Sequence, residues 1–211
     1  MKFKLLFNYR FLLFILSVLG VYLQLTKHGG FGMMLYYTIL SNMLVMFFSG
    51  DMVWRMLRGR SNQTQGYLRM KGAVTMSIMI TCVIYHFMLA PLATPEKFYR
   101  LENFLCHYIV PLMFFFDTLV IDKAKQYRKL DPFLWTLIPL AYMLFALLNG
   151  LVLKWPIPGA KDSPFAYFFI NVNKYGWAFV GKWVVIIFIA YLLAGYVLYG
   201  IKNIKRESAV S

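Results

Sequence analysis

The sequence predicts an all-α polytopic membrane protein: a six-transmembrane-helix bundle with both termini in the cytoplasm. Three observations carry this. Of 211 residues, 61% are hydrophobic and 14% charged, and the mean hydropathy is +0.62. Apolar runs long enough to cross about 30 Å of hydrocarbon recur along the whole length, with no soluble domain between them. Lys and Arg fall mostly in alternate connecting segments, as the positive-inside rule requires. The chain therefore reads as one domain, residues 1–211.

The first span is placed at residues 11–26. It is short for a bilayer unless residues 5–7 lead into it. Basic residues precede it, but residues 20–28 contain no small-x-small cleavage site, so it is expected to be retained. A tight outer turn holding His28, Gly29 and Gly30 leads to the second span, residues 34–56, near whose inner end Asp51 and Arg55 form an i, i+4 ion pair. A polar loop, residues 58–71, separates this from the third span at 72–92. A short outer turn then leads to the fourth at 102–121, and the fifth follows at 132–153. Residues 154–178 differ from the other connections: Pro156, Pro158 and Pro164 prevent a continuous helix, and the aromatic cluster suits a membrane interface. They read as a structured outer cap. The sixth span is residues 179–201.

With the N-terminus inside, fifteen of the 22 Lys and Arg residues lie in the cytoplasmic segments. The net charge of +14 is then topological. A nucleic-acid surface would interleave exposed aromatics with its basic residues or carry a known module, and neither is present. Cys82 and Cys106 lie inside spans without CxxC spacing, which suits packing rather than a disulfide or zinc framework.

Polar groups inside a bilayer are costly and are usually kept for function. By helical rise, Thr38 lies about 6 Å inside the outer end of its span, His107 about 8 Å and His86 about 9 Å. Ser41 and Asn42 lie one turn deeper than Thr38. Asn103, His107 and Pro111 recur at i, i+4 and i+8, with Glu102 at the mouth. A threonine hydroxyl becomes a nucleophile when a base removes its proton, and neutral histidine is the usual base. Thr38 with His107 is the pair that fits these roles. Ser41, Asn42, His86 and Asn103 are candidates for substrate binding or for stabilising an oxyanion. Asp117, ten residues deeper than His107 on the same helix, is too far along the axis to complete a triad, so a dyad is expected.

The strings YYTILSNML, IYHFMLAP, NFLCHYIVPLMFFFD and SPFAYFFINVNKYGW together resemble the androgen-induced-protein family of intramembrane threonine hydrolases, and more closely its bacterial six-span branch. The likeness covers most of the chain. It implies hydrolysis of a lipid ester drawn from the membrane, with Thr38 as nucleophile, His107 as base and neither cofactor nor metal. It also implies a multi-pass protein of the bacterial inner membrane. His86, Asn103, Pro111 and Asp117 match positions of that branch, whereas Thr118 and Leu119 stand where a Trp and a Leu are expected.

Two other functions fit a buried polar layer. One is a channel or transporter with an intramembrane binding site, although no interrupted inverted repeat supports it. The other is a haem protein with His86 and His107 as axial ligands.

Overall fold

The computed structural model describes residues 3–203. Lys2, Lys205 and Arg206, which the sequence reading assigns to the inner side, lie outside the described residues. No strand occurs among those described. Six long helices account for most of the fold: α1 Phe3–His28, α2 Tyr37–Leu57, α3 Gln65–Leu92, α4 Leu101–Ile121, α5 Asp131–Leu153 and α6 Val172–Asn203. Five of these, all but α2, are long and apolar enough to cross a membrane, the pattern of a multi-pass membrane protein. The 21 residues of α2 match α4 in length, but α2 carries Thr38, Ser41, Asn42, Ser49, Asp51 and Arg55.

Most helices begin earlier than the apolar runs suggest. α1 starts at Phe3 rather than Phe11, and α3 at Gln65 rather than Gly72. Backbone hydrogen bonding continues past the apolar residues, because polar side chains of a terminal turn can bend toward water or a partner while the helix goes on. α6 is interrupted at Gly176, whose φ of 78° breaks the helical path just ahead of the apolar run.

α3 is the central element, packing against α2, α4, α5 and α6, while α1 lies along α2 and α4. The α1–α4 core consists of Leu13, Val45, Met52, Tyr67, Val74, Ile78, Val110 and Phe114. Gly20 lets α1 approach α4, since a Cβ there would lie 3.1 Å from Cys106 Sγ. α6 leaves Val185, Ile186, Ile189, Leu193 and Val197 exposed, an apolar face suited to lipid.

Charge pairs pin both ends of the bundle. At one end, the Glu102 carboxylate is buried, 2.9 Å from His28 Nε2 and 3.4 Å from Lys27 Nζ. At the other, Arg10 donates through Nε and Nη2 to Asp117, both at 2.9 Å. Lys71 bonds Asp117 and also Asp122, the latter at 2.7 Å. Arg10, Lys71 and Asp117 are at most 2% exposed. Lys202 of α6 donates to the carbonyls of Asp122 and Leu119. A separate pair, Arg69 with Asp131, fastens α3 to α5. Such charges survive burial because each is paired and hydrogen-bonded.

The cap folds over the end of the bundle that carries Thr38. Phe165, Tyr167, Phe169, Ile170 and Val172 form one cluster with Tyr37 and Val180. Tyr36 donates to the Pro158 carbonyl at 2.8 Å, and the Asn149 amide donates to the carbonyls of Trp155 and Pro164. Gly150 is required by contact: a Cβ there would lie 2.1 Å from the Phe165 ring.

Candidate active site

Thr38 sits in the first turn of α2. The chain reaches it through Gly29 and Gly30, both at positive φ, then a 3-10 turn Gly30–Leu35 and an extended Tyr36. The Tyr36 carbonyl accepts from the Ile39 and Leu40 N–H groups, so the helix starts there. Its opening N–H groups, those of Tyr37 and Thr38, have no carbonyl within the helix to bond, as at any helix start.

His107 lies on a widened turn of α4, the π-helical stretch Leu105–Ile109. Pro111 accounts for the widening. It has no N–H to offer the carbonyl four residues back, which is that of His107, and its ring crowds that carbonyl. An extra residue in the preceding turn relieves the clash, and such π-turns are common at functional sites. The stretch Tyr85–Leu89 of α3, ahead of Pro91, is wound in the same way.

The two side chains meet. Thr38 Oγ1 lies 3.4 Å from His107 Nε2. His107 Nδ1 lies 3.0 Å from the Asn103 carbonyl. A carbonyl oxygen can only accept, so Nδ1 carries the proton in the neutral ring and Nε2 presents its lone pair to the threonine hydroxyl. That is the tautomer a general base needs. A contact of this length is normal for such a pair without substrate. The ring is held flat by Tyr85, with centroids 3.7 Å apart.

The residues predicted to bind substrate or an oxyanion have other partners. Asn42 donates from its amide to the carbonyls of Thr38, at 2.8 Å, and Cys106, at 3.0 Å, tying α2 to α4 beside the dyad. Ser41 bonds the Thr81 hydroxyl and the Thr38 carbonyl. Asn103 donates to the Tyr85 hydroxyl and the Phe98 carbonyl. His86 departs from the expected polar layer. It is exposed, its Nδ1 3.2 Å from the Tyr108 hydroxyl, and Tyr85 takes its place beside His107. Adjacent residues on a helix face directions about 100° apart, so depth alone could not tell Tyr85 from His86. Asp117 lies in the buried ion cluster with Arg10, Lys71 and Asp122, apart from the dyad.

Tyr167 of the cap was not signalled by sequence. It lines the same cavity as Thr38, and its ring meets those of Tyr36 and Tyr142 edge-on, with centroids 6.0 and 6.5 Å apart. Burial pushes its phenol upward, so it stays protonated near neutral pH. No signal within YFFIN marks that tyrosine over its aromatic neighbours.

Thr38 opens on its other side into a cavity of about 110 Å³ between α2, α3, α5, α6 and the cap. Ile80, Ile84, Leu140, Met143, Val184 and Ile187 line it. Of its tyrosines, Tyr37 bonds Ser77, Tyr142 donates to the Leu35 carbonyl and Tyr191 to that of Trp135. The space is therefore apolar along its length and polar where Thr38, Tyr85 and Tyr167 meet it. Among the described residues, no group of three or more His, Cys, Asp and Glu side chains converges. No protein-family model, curated protein or solved structure matches this chain.

Proposed function

We propose that the chain is an integral membrane hydrolase that cleaves a lipid ester through Thr38 and His107, near the outer leaflet of a bacterial inner membrane. The observation that carries this is the aligned pair at the end of an apolar cavity: Nδ1 is committed to a carbonyl, and Nε2 faces the hydroxyl. An acyl chain would lie in the cavity with its carbonyl at Thr38. Thr38 Oγ adds to that carbonyl as its proton passes to Nε2. Collapse of the tetrahedral intermediate expels the alcohol, which takes the proton from Nε2. Water, deprotonated in turn by Nε2, then adds to the acyl carbonyl, and the Thr38 oxygen leaves with the proton from Nε2 as the acid is released.

In this reading α2 is a sixth span, tolerated because its polar side chains face other helices rather than lipid. Both termini are cytoplasmic and the cap lies outside. Burial of Arg10, Lys71 and Lys202 removes three charges from the inner surface. The remaining inner segments still hold more Lys and Arg than the outer ones.

The haem reading needs both imidazoles to face one space. His107 has both ring nitrogens engaged, and His86 turns outward onto Tyr108. The hydrolase reading is tested by labelling the purified protein with a fluorophosphonate and mapping the adduct. An adduct on Thr38 that is lost in His107→Ala supports it. An unlabelled Thr38, with no ester cleavage in detergent, ends it.

A further inference from the structure

An acyl-transfer site needs a donor aimed at the oxygen that becomes negative beside the nucleophile. The donors nearest in sequence are already committed. Asn42 uses its amide on two carbonyls, and Asn103 uses its own on Tyr85 and Phe98. Ser41 has one proton, placed between Thr81 and the Thr38 carbonyl. His86 faces away. The Tyr85 hydroxyl is anchored by Asn103, one helical turn toward the mouth from His107.

We propose that Tyr167 is the oxyanion donor, so that the cap supplies a catalytic residue to the Thr38–His107 pair. The inference rests on the ester-hydrolase reading. Three features support it. Tyr167 and Thr38 line the same cavity. Tyr167 packs in one cluster with Tyr37, the residue next to Thr38 in the first turn of α2. The ring is fixed on several sides: it stacks on Phe169 with centroids 5.2 Å apart and meets Tyr36 edge-on at 6.0 Å.

In the reaction, the carbonyl π pair moves onto oxygen as Thr38 Oγ bonds to carbon, and the Tyr167 O–H donates a hydrogen bond to that oxygen. Tyr167 keeps its proton throughout. When the carbonyl re-forms and the alcohol leaves, that hydrogen bond weakens as the charge leaves the oxygen. A cap that lifts away would therefore remove the donor together with the lid, leaving the nucleophile exposed but ineffective.

The test uses the full-length protein in detergent, with p-nitrophenyl octanoate as substrate and a fluorophosphonate as probe. Wild type, Thr38→Ala, Tyr167→Phe and Tyr36→Phe are compared. Phenylalanine keeps the stacking of residue 167 and removes only the hydroxyl. Tyr36→Phe removes a hydroxyl that fastens the cap at Pro158 without lining the cavity. The expected result is a fall in kcat of about 10²–10³-fold for Tyr167→Phe, as for loss of one oxyanion donor. KM and melting temperature should stay near wild type, and labelling of Thr38 should slow in parallel. Tyr36→Phe should change kcat far less. Thr38-dependent turnover that survives Tyr167→Phe within a few-fold overturns the inference and leaves the hydrolase reading standing. An equal loss in Tyr36→Phe, or a loss that follows a fallen melting temperature, overturns it in favour of cap packing. Wild-type turnover no higher than that of Thr38→Ala overturns both.

Discussion

At the level of single residues, chemistry and packing predict opposite outcomes at Thr38. Loss of a catalytic dyad member costs several orders of magnitude in rate, whereas a hydrogen bond between membrane helices is worth only about 1 kcal/mol. Thr38→Val keeps the branched shape and should abolish labelling and cleavage with an unchanged melting temperature, while Thr38→Ser should retain part of both. His107→Gln can accept a hydrogen bond but cannot act as a base, so it should also be inactive yet folded. Ester cleavage by Thr38→Val in detergent would make Thr38 a packing residue. Asp117 presents the reverse case. It pairs with Arg10 and Lys71 in a fully buried cluster, and removing one partner of such a set costs about 3–5 kcal/mol because the others stay charged and buried. Asp117→Asn should lower the melting temperature in detergent sharply while each folded molecule keeps its rate. Equal stability would show that the cluster is solvated. Thr38 and His107 were legible in the sequence because a polar group in an apolar run stands out at any helical phase. Choosing between His86 and Tyr85 required the phase itself, which the π-turns at Tyr85–Leu89 and Leu105–Ile109 alter.

Among the elements, the cap is the one whose role the sequence left open. Its prolines and aromatics marked residues 154–178 as irregular and interfacial, but which tyrosine reaches the dyad depends on contacts more than a hundred residues apart in sequence. Local pattern cannot encode such pairing. The long helices were legible because apolar length alone defines them, and their ends were not, because backbone hydrogen bonds run on past the apolar residues. Cap seating should be sensitive to Gly150. A Cβ there meets the Phe165 ring at 2.1 Å, and that ring is 1% exposed with nowhere to retreat. Gly150→Ala should cost about 1–3 kcal/mol by overpacking and should also lower turnover by shifting the segment that carries Tyr167. Gly181 of α6 has nothing within 4 Å of an added Cβ, so Gly181→Ala should be neutral or slightly stabilising. Melting temperature and turnover of the two variants check this: if Gly150→Ala lowers stability without touching turnover, the cap is not coupled to the site.

For the whole molecule, the decisive quantity is which side of the membrane the cap faces. The dyad lies near one end of the bundle, under the cap, and the paired charges of Arg10, Lys71, Asp117 and Asp122 lie near the other. This asymmetry gives the protein one end that carries the Thr38–His107 pair and another anchored by buried ion pairs. If the inner segments are cytoplasmic, the proposed ester would reach the cavity from the outer leaflet, since Thr38 sits in the first turn of α2 at the capped end. If the orientation is reversed, only cytoplasmic-leaflet lipids can do so. Lys161 suits a labelling experiment because it is exposed on the cap, whereas the Ser163 hydroxyl accepts from the Ile157 N–H and is part of the cap's own structure. A cysteine at Lys161 in a background lacking Cys82 and Cys106 should react with an impermeant maleimide added to intact cells, and a reporter fused after Ser211 should behave as cytoplasmic. Protection of that cysteine in intact cells but not in lysed ones, with the reporter exported, would invert the molecule. Under the proposed hydrolase function, the ester would then have to come from the inner leaflet.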